Sequence, residues 1–258
     1  MPRFKLTIEY VGTRYSGWQV QPNARTVAGE IGKAVHEITG RQRFELYGSG
    51  RTDAGVHALQ QVAHLDVATR LPPQALAARL NDILPHDIVI TGAAITSHRF
   101  HARRDARARS YLYQVTTRPV AFGKALVWWV RDPLDLAAMD AAARVFQGLH
   151  DFRGFTDADA AEQSTRVRVE RVVVHEVPPF VLVRVVGSHF LWKMVRRLVG
   201  VLVEVGRGGL AAAEVPQLLG RDSEVPARLT APTSGLFLER VFYDETVAER
   251  PLVPVLAL

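Results

Sequence analysis

A chain of 258 residues, 48% hydrophobic and 22% charged, has the balance of a globular protein and the length for one large or two ordinary domains. It has no cysteine, which excludes disulfide frameworks, thiol nucleophiles, iron–sulfur clusters and thiolate zinc sites, and its apolar runs fall short of the eighteen or so residues of a membrane span. The net charge is +6, and of the 32 cations only Lys5, Lys33, Lys124 and Lys193 are lysines, so arginine-rich basicity points to a polyanionic partner or to a compositional habit of the source.

MPRFKLTIEY enters an alternating pattern at once, with no signal-peptide hydrophobic region, so a cytoplasmic protein is expected. Phe4, Leu6, Ile8 and Tyr10 predict a half-buried first strand. Val27, Ile31, Ala34, Val35 and Ile38 share one stripe of a helix that Gly40 ends. FELYG and LQQVAHLDV read as strands flanking GSGRTDAGVHA. Pro72 and Pro73 open a second helix with the stripe Leu76, Leu80, Ile83 and Leu84, and DIVITGAAI is a fourth strand.

From RSYLYQV onward the order repeats. A helix is predicted from about Leu136 to Phe146, then strands VRVERVVVHEV and FVLVRVVG, then a helix over 191–205. Leu191, Met194, Val195, Leu198, Val199 and Leu202 form its apolar stripe, and Gly206, Gly208 and Gly209 end it. LFLERVFY supplies the last strand. The expected fold is α+β, two ferredoxin-like βαββαβ units with adjoining antiparallel sheets and a catalytic cleft between them. The expected boundaries are 1–104, carrying the glycine loop, and 105–258.

The glycine loop fails the phosphate-binding patterns. A dinucleotide fingerprint needs a third glycine where Asp53 stands, and a Walker loop needs Lys and Ser or Thr where Val56 and His57 follow Gly55. HEITG and HEVPP lack the second histidine of a zinc protease, HRFH (His98, His101) lacks a completing ligand, and a zinc deaminase needs cysteines. No metal or cofactor is expected. Asp53 is then either a turn aspartate capping backbone amides or a nucleophile at a sugar carbon or activated ring.

HRFHARRDARARSYLY concentrates Arg99, Arg103, Arg104, Arg107 and Arg109; if its latter part is a strand, Arg107, Arg109, Tyr111 and Tyr113 share a face suited to an RNA backbone and an unstacked base, rather than a merely charge-guarded edge. Lys193, Arg196 and Arg197 are expected as a basic patch opposite the apolar stripe of their helix, with solvated surface as the plain reading.

The chain resembles the tRNA pseudouridine synthase A family through IEYVGTRYSGWQVQP, GSGRTDAGVHALQQVAH, LNDILP, FHARRDARARSYLY, FQGLHDF, FLWKMVRRLVG and APTSGLFLERVFY. The resemblance implies an isomerase converting uridine to pseudouridine in the anticodon stem-loop of tRNA, at tRNA positions 38–40, as a homodimer without cofactor. It implies Asp53 as the catalytic aspartate, Tyr111 packing on the target uracil and Arg196 pairing with the aspartate; Arg51, two residues before Asp53, is also expected at the substrate. Lys193 and Arg197 join Arg99, Arg103, Arg104, Arg107 and Arg109 as expected RNA contacts, although Trp192, Lys193 and Arg197 depart from the family's usual residues. The alternatives are a non-catalytic RNA-binding module or chaperone, and an RNA-directed N-glycosidase using the same carboxylate.

Overall fold

Alternation in RFKLTIEY places Phe4, Leu6, Ile8 and Tyr10, each at most 2% exposed, on the inner face of β1 (Arg3–Tyr10). In the computed structural model, which describes residues 1–157, 164–243 and 251–256, β1 is the centre of the first of two units. That unit comprises Met1–Arg107 and the segment from Phe237. Helix α1 (Val27–Thr39) starts where the Thr26 hydroxyl accepts from Gly29 N–H at 3.2 Å, and ends at Gly40, whose φ of +63° suits a residue without Cβ. Its buried stripe is Val27, Ala28, Ile31, Ala34 and Val35.

β2 (Glu45–Gly48) and β3 (His57–Asp66) follow, then α2 (Pro73–Ile83) and β4 (Ile88–Thr96). Proline at the first position of α2 gives up no needed amide bond, and Leu76 and Leu80 are fully buried below it. Burying such a side chain contributes roughly 1.5–3 kcal/mol. Ile83, expected on the same stripe, is only half-buried. β1 pairs antiparallel with both β3 and β4, and β2 pairs antiparallel with β3. The order β4-β1-β3-β2 is that of a ferredoxin-like sheet.

The second unit comprises Ala108–Leu236 and the C-terminal segment. Its sheet runs β5 (Ala108–Thr116), β9 (Phe180–Gly187), β8 (Arg166–Val177), β7 (Gly148–Asp151), with β6 (Trp128–Trp129) parallel to β5. Helix α3 (Leu136–Val145) is capped by Asp135, which accepts from Ala138 N–H at 3.0 Å. The predicted stripe of α4 (Met194–Gly206) is buried throughout, Leu191 included, although Leu191 to Lys193 precede the helix. Short α5 (Val225–Arg228) completes the unit. β6, β7 and α5 carry too few residues to show a period.

β10 (Leu236–Phe242) differs from the reading of the sequence, which placed LFLERVFY with the second half. Phe237 and Leu238 pair parallel with His57 and Ala58 of β3, and the segment from Phe237 belongs with the first unit. An apolar strand pattern reports burial and says nothing of which sheet receives it.

Candidate active site

Asp53 stands on the loop from Gly48 to His57, which residues of its own unit support. Ser49 N–H donates to Val62 O at 2.7 Å, and Ser49 Oγ donates to Oε1 of the fully buried Gln61 at 2.6 Å. Gln61 Nε2 donates in turn to Gly50 O at 3.1 Å. The Thr52 hydroxyl lies 2.8 Å from the Tyr10 hydroxyl, and Thr52 O accepts from Trp18 N–H at 3.1 Å. Asp53 O accepts from Val56 N–H at 3.1 Å, a turn completed by Gly55 at φ +80°. Burial pushes the Tyr10 hydroxyl up to about 12, so it serves as a protonated strut.

The loop is packed against Gly12–Trp18 so closely that side chains are excluded. A Cβ at Gly12 would lie 1.9 Å from Val56 O, and one at Gly17, where φ is +90°, 2.5 Å from Thr52 O. At Gly48 it would lie 2.6 Å from the Trp18 ring. Gly12 N–H donates to His57 Nδ1 at 3.1 Å, and the His57 ring stacks on Phe237 at 4.8 Å. Asp53 is half-buried between exposed Arg51 and Ala54. These struts fix the backbone that carries Asp53, and a reacting group on a fixed backbone suits both nucleophilic and general-base chemistry.

The arginine-rich segment is anchored from below. Arg3 forks onto Asp66 at 2.7 and 2.6 Å and donates to the carbonyls of His98 and Phe100 at 2.9 and 2.6 Å. His101 Nδ1 faces Arg103 N–H and Arg104 N–H at 3.2 Å each, and Ala102 N–H donates to His64 Nδ1. His101 therefore closes a turn, and burial first, then the Arg104 charge, pushes its imidazole below the usual range. Arg99, Arg103, Arg104 and Arg107 are exposed along this segment.

In the second unit, Arg109 and Tyr111 are half-exposed on β5. Arg109 donates to Ser188 O at 2.8 Å, and the Tyr111 ring meets Phe190 edge-on at 5.2 Å and 87°. Tyr113 departs from the expected wet face. It is fully buried, donates to Pro232 O at 2.7 Å and packs against Trp128, because the edge of β5 is covered there by 232–235 and β6. Arg196 is half-exposed on α4 and is anchored by Nε donating to Ala231 O at 2.7 Å.

The expected basic patch on α4 also needs correction. Arg197 is 4% exposed, bonded to Asp157 and donating to Gly154 O at 3.2 Å, so its guanidinium is a core ion-pair partner rather than a surface cation. Lys193 bonds the same carboxylate at 2.6 Å and covers Trp192 at 4.8 Å. The departures from the family pattern at 193 and 197 thus share one acid. The Lys193 ammonium, followed by the Arg197 guanidinium, holds the Asp157 carboxyl below the usual range against the opposing effect of burial.

Asp157→Asn should lower stability at neutral pH by about 2 kcal/mol, below the full cost of orphaning a buried charge because Asp157 is partly exposed. A depressed folded value makes this contribution fully present above the unfolded carboxylate range and lost as pH falls through the folded value. Denaturant melts of the two proteins should therefore differ at pH 7 and converge in strong acid; equal stability at pH 7 would dismiss the pair.

Among the described residues, no helix is long and apolar enough to cross a membrane. Two α+β units thus carry a loop-borne acid on glycine struts and an anchored arginine-rich segment. A family model for tRNA pseudouridine synthase matches residues 6–104 and 142–244. The tRNA pseudouridine synthase A of Moorella thermoacetica is 40% identical over 94% of this chain and 100% of its own length. That of Pelobacter propionicus is 41% identical over 94% and 100%, and that of Maridesulfovibrio salexigens 40% over 95% and 92%. The chain belongs to the tRNA pseudouridine synthase family and is accordingly an isomerase.

The first strand was expected, but its Tyr10 and the Gly12–Trp18 turn were not expected as supports of the acid loop. Their signal was present in IEYVGTRYSGW, whose glycines answer the backbone of the acid loop rather than a ligand.

Proposed function

We propose that the protein isomerises uridine to pseudouridine in the anticodon stem-loop of tRNA, as a cytoplasmic homodimer, with Asp53 as nucleophile. The observation that carries this reading is the GRTDAG loop itself, in which one acid is fixed by struts from β1, the Gly12–Trp18 turn and β3. The N1–C1′ bond breaks, the uracil turns, and C5 joins C1′ as the C5 proton leaves and N1 gains one, so substrate and product are isomers. A carboxylate can serve this by attack at C1′, by addition to C6 or by assisting departure to a glycal. Tyr111 stacks on the uracil, Arg196 orients and balances the carboxylate, and Arg51 holds the adjoining substrate backbone. An unmodified tRNA transcript incubated with this protein alone tests the reading. Pseudouridine at unchanged mass supports it; abasic sites or unaltered RNA overturn it.

Tyr111 supplies a ring whose orientation Phe190 fixes. Base–aromatic stacking is worth about 1–3 kcal/mol, so Tyr111→Ala should lower kcat/KM about 10–100-fold, while Tyr111→Phe stays within about fivefold of wild type. Equal inactivity of both would move the role to the hydroxyl. Wild-type rates in both would make the ring structural.

The exposed arginines of the anchored segment contact phosphate in this reading. The double variant Arg103→Ala, Arg104→Ala should flatten the log–log salt dependence of tRNA affinity by roughly two units. An unaltered slope removes both from the footprint.

A further inference from the structure

Behind the acid loop, within the first unit, lies a cavity of about 350 Å³ that the proposed chemistry does not use. Its floor is the face of α1 at Gly29 and Gly32, and its walls are Trp18, Phe44 and Tyr47. Gly48, Gly50 and Arg51 of the acid loop close one side, and Arg103 stands at the rim. The volume is at the lower end of small-ligand sites, which run about 300–1,000 Å³. Phe44 is half-buried and is the ring the cavity offers to an occupant, since Trp18 is 2% exposed with Gly48 against its ring, and Tyr47 stacks on His64 at 5.8 Å and meets His101 edge-on at 4.8 Å.

The geometry points to a pocket for an unstacked nucleobase of the RNA substrate, from a nucleotide neighbouring the uridine that reacts. This rests on the proposed tRNA activity. The Phe44 ring with Arg51 and Arg103 in the same lining matches a base with its flanking phosphates, the combination by which single-stranded RNA is held. Asp53 does not line the cavity, so the occupant is a different base from the one that reacts. Arg51 lies two residues from Asp53, at most about 7 Å between Cα atoms, which makes the occupant a near neighbour in the RNA. Pocket and acid loop are also mechanically one piece. Trp18 N–H holds Thr52 O at 3.1 Å, and Gly48 rests on the Trp18 ring. A base seated between Phe44 and the Gly48–Arg51 side would thus register the RNA on the element that carries Asp53.

Gly32→Leu fills the pocket from its floor. A Cβ there meets only the far edge of the Phe44 ring at 3.3 Å, and leaving glycine inside a helix favours the fold. Phe44→Ala removes a wall without filling the space, and so tests the pocket if Gly32→Leu folds poorly. The substrates are an unmodified tRNA transcript and a series carrying one abasic residue each around the target uridine. Wild type should lose about tenfold in kcat/KM on one abasic transcript. Both variants should lose about tenfold on the intact transcript and nothing further on that abasic one. Additive losses at every position, or wild-type kcat/KM in both variants, overturn the assignment. So does competitive inhibition by a free nucleoside 5′-monophosphate that Gly32→Leu abolishes without any abasic effect, since that marks a small-nucleotide site. Failure of the proposed activity is read separately, as wild type leaving the intact transcript unmodified; the same abasic series is then read as Kd.

Discussion

Asp53→Ala should reduce pseudouridine formation by at least about 10³-fold while tRNA affinity stays within about twofold of wild type. A group that forms or breaks a bond to substrate is lost outright on removal, whereas tRNA affinity is expected from phosphate contacts made by arginines elsewhere. The fold should survive, because the loop is held through Ser49, Thr52 and Val56 and through the Asp53 backbone carbonyl, which alanine keeps. Asp53→Asn preserves shape and removes the anionic oxygen, so it should be equally inactive. Activity in Asp53→Ala above a tenth of wild type would sink the nucleophile assignment. If Arg196 acts by balancing this carboxylate, the double variant Asp53→Ala, Arg196→Ala should be no slower than Asp53→Ala, since the second change removes a partner already lost. A further tenfold loss in the double variant would give Arg196 a separate role.

Much of the fold was legible in the sequence because its elements are long and strongly periodic. β1, α1, α2 and α4 each repeat an apolar position often enough for the period to be read. Failures came where tertiary context decided. Arg197 occupies a position that looks polar from the stripe alone, yet it is buried and paired with the partly exposed Asp157, forty residues earlier by chain position. Tyr113 shares a strand face with Tyr111, but residues 232–235 cover one and leave the other half-exposed. Period two fixes a face and is silent on what covers each position along it.

The acid loop divides in the same way. Asp53 stood out as a lone carboxylate among glycines, but many of its loop's supports come from 35 to 43 positions earlier, at Tyr10, Gly12, Tyr15 and Trp18. Turn chemistry accounts for Gly55, where φ is +80°. It does not account for Gly12, whose need for no side chain arises only when β1 and the loop are brought together.

Gly12→Ala is therefore expected to damage catalysis from a position that bears no reactive group. The new Cβ would lie 1.9, 2.6 and 3.1 Å from O, C and N of Val56, all backbone atoms that cannot rotate aside. Either the Gly12–Arg14 turn or the loop must move, and the Gly12 N–H bond to His57 at 3.1 Å is strained with it. Overpacking of this kind costs about 1–3 kcal/mol. Val56 N–H holds Asp53 O, so displacement at Val56 is passed directly to the acid. A shift of about 1 Å at a reacting group can cost on the order of 10² in rate, and kcat should fall by about that factor with KM little changed. Gly92→Ala is the control. Its Cβ would sit 3.7 Å from the Thr7 side chain, an ordinary contact, so rate and melting temperature should stay near wild type. Measurements belong at a temperature where circular dichroism shows both variants folded, so that lost activity reports a displaced acid rather than lost protein. Wild-type kcat in folded Gly12→Ala would mean that the loop tolerates displacement, and that the close packing of Gly12 on Val56 serves the fold alone.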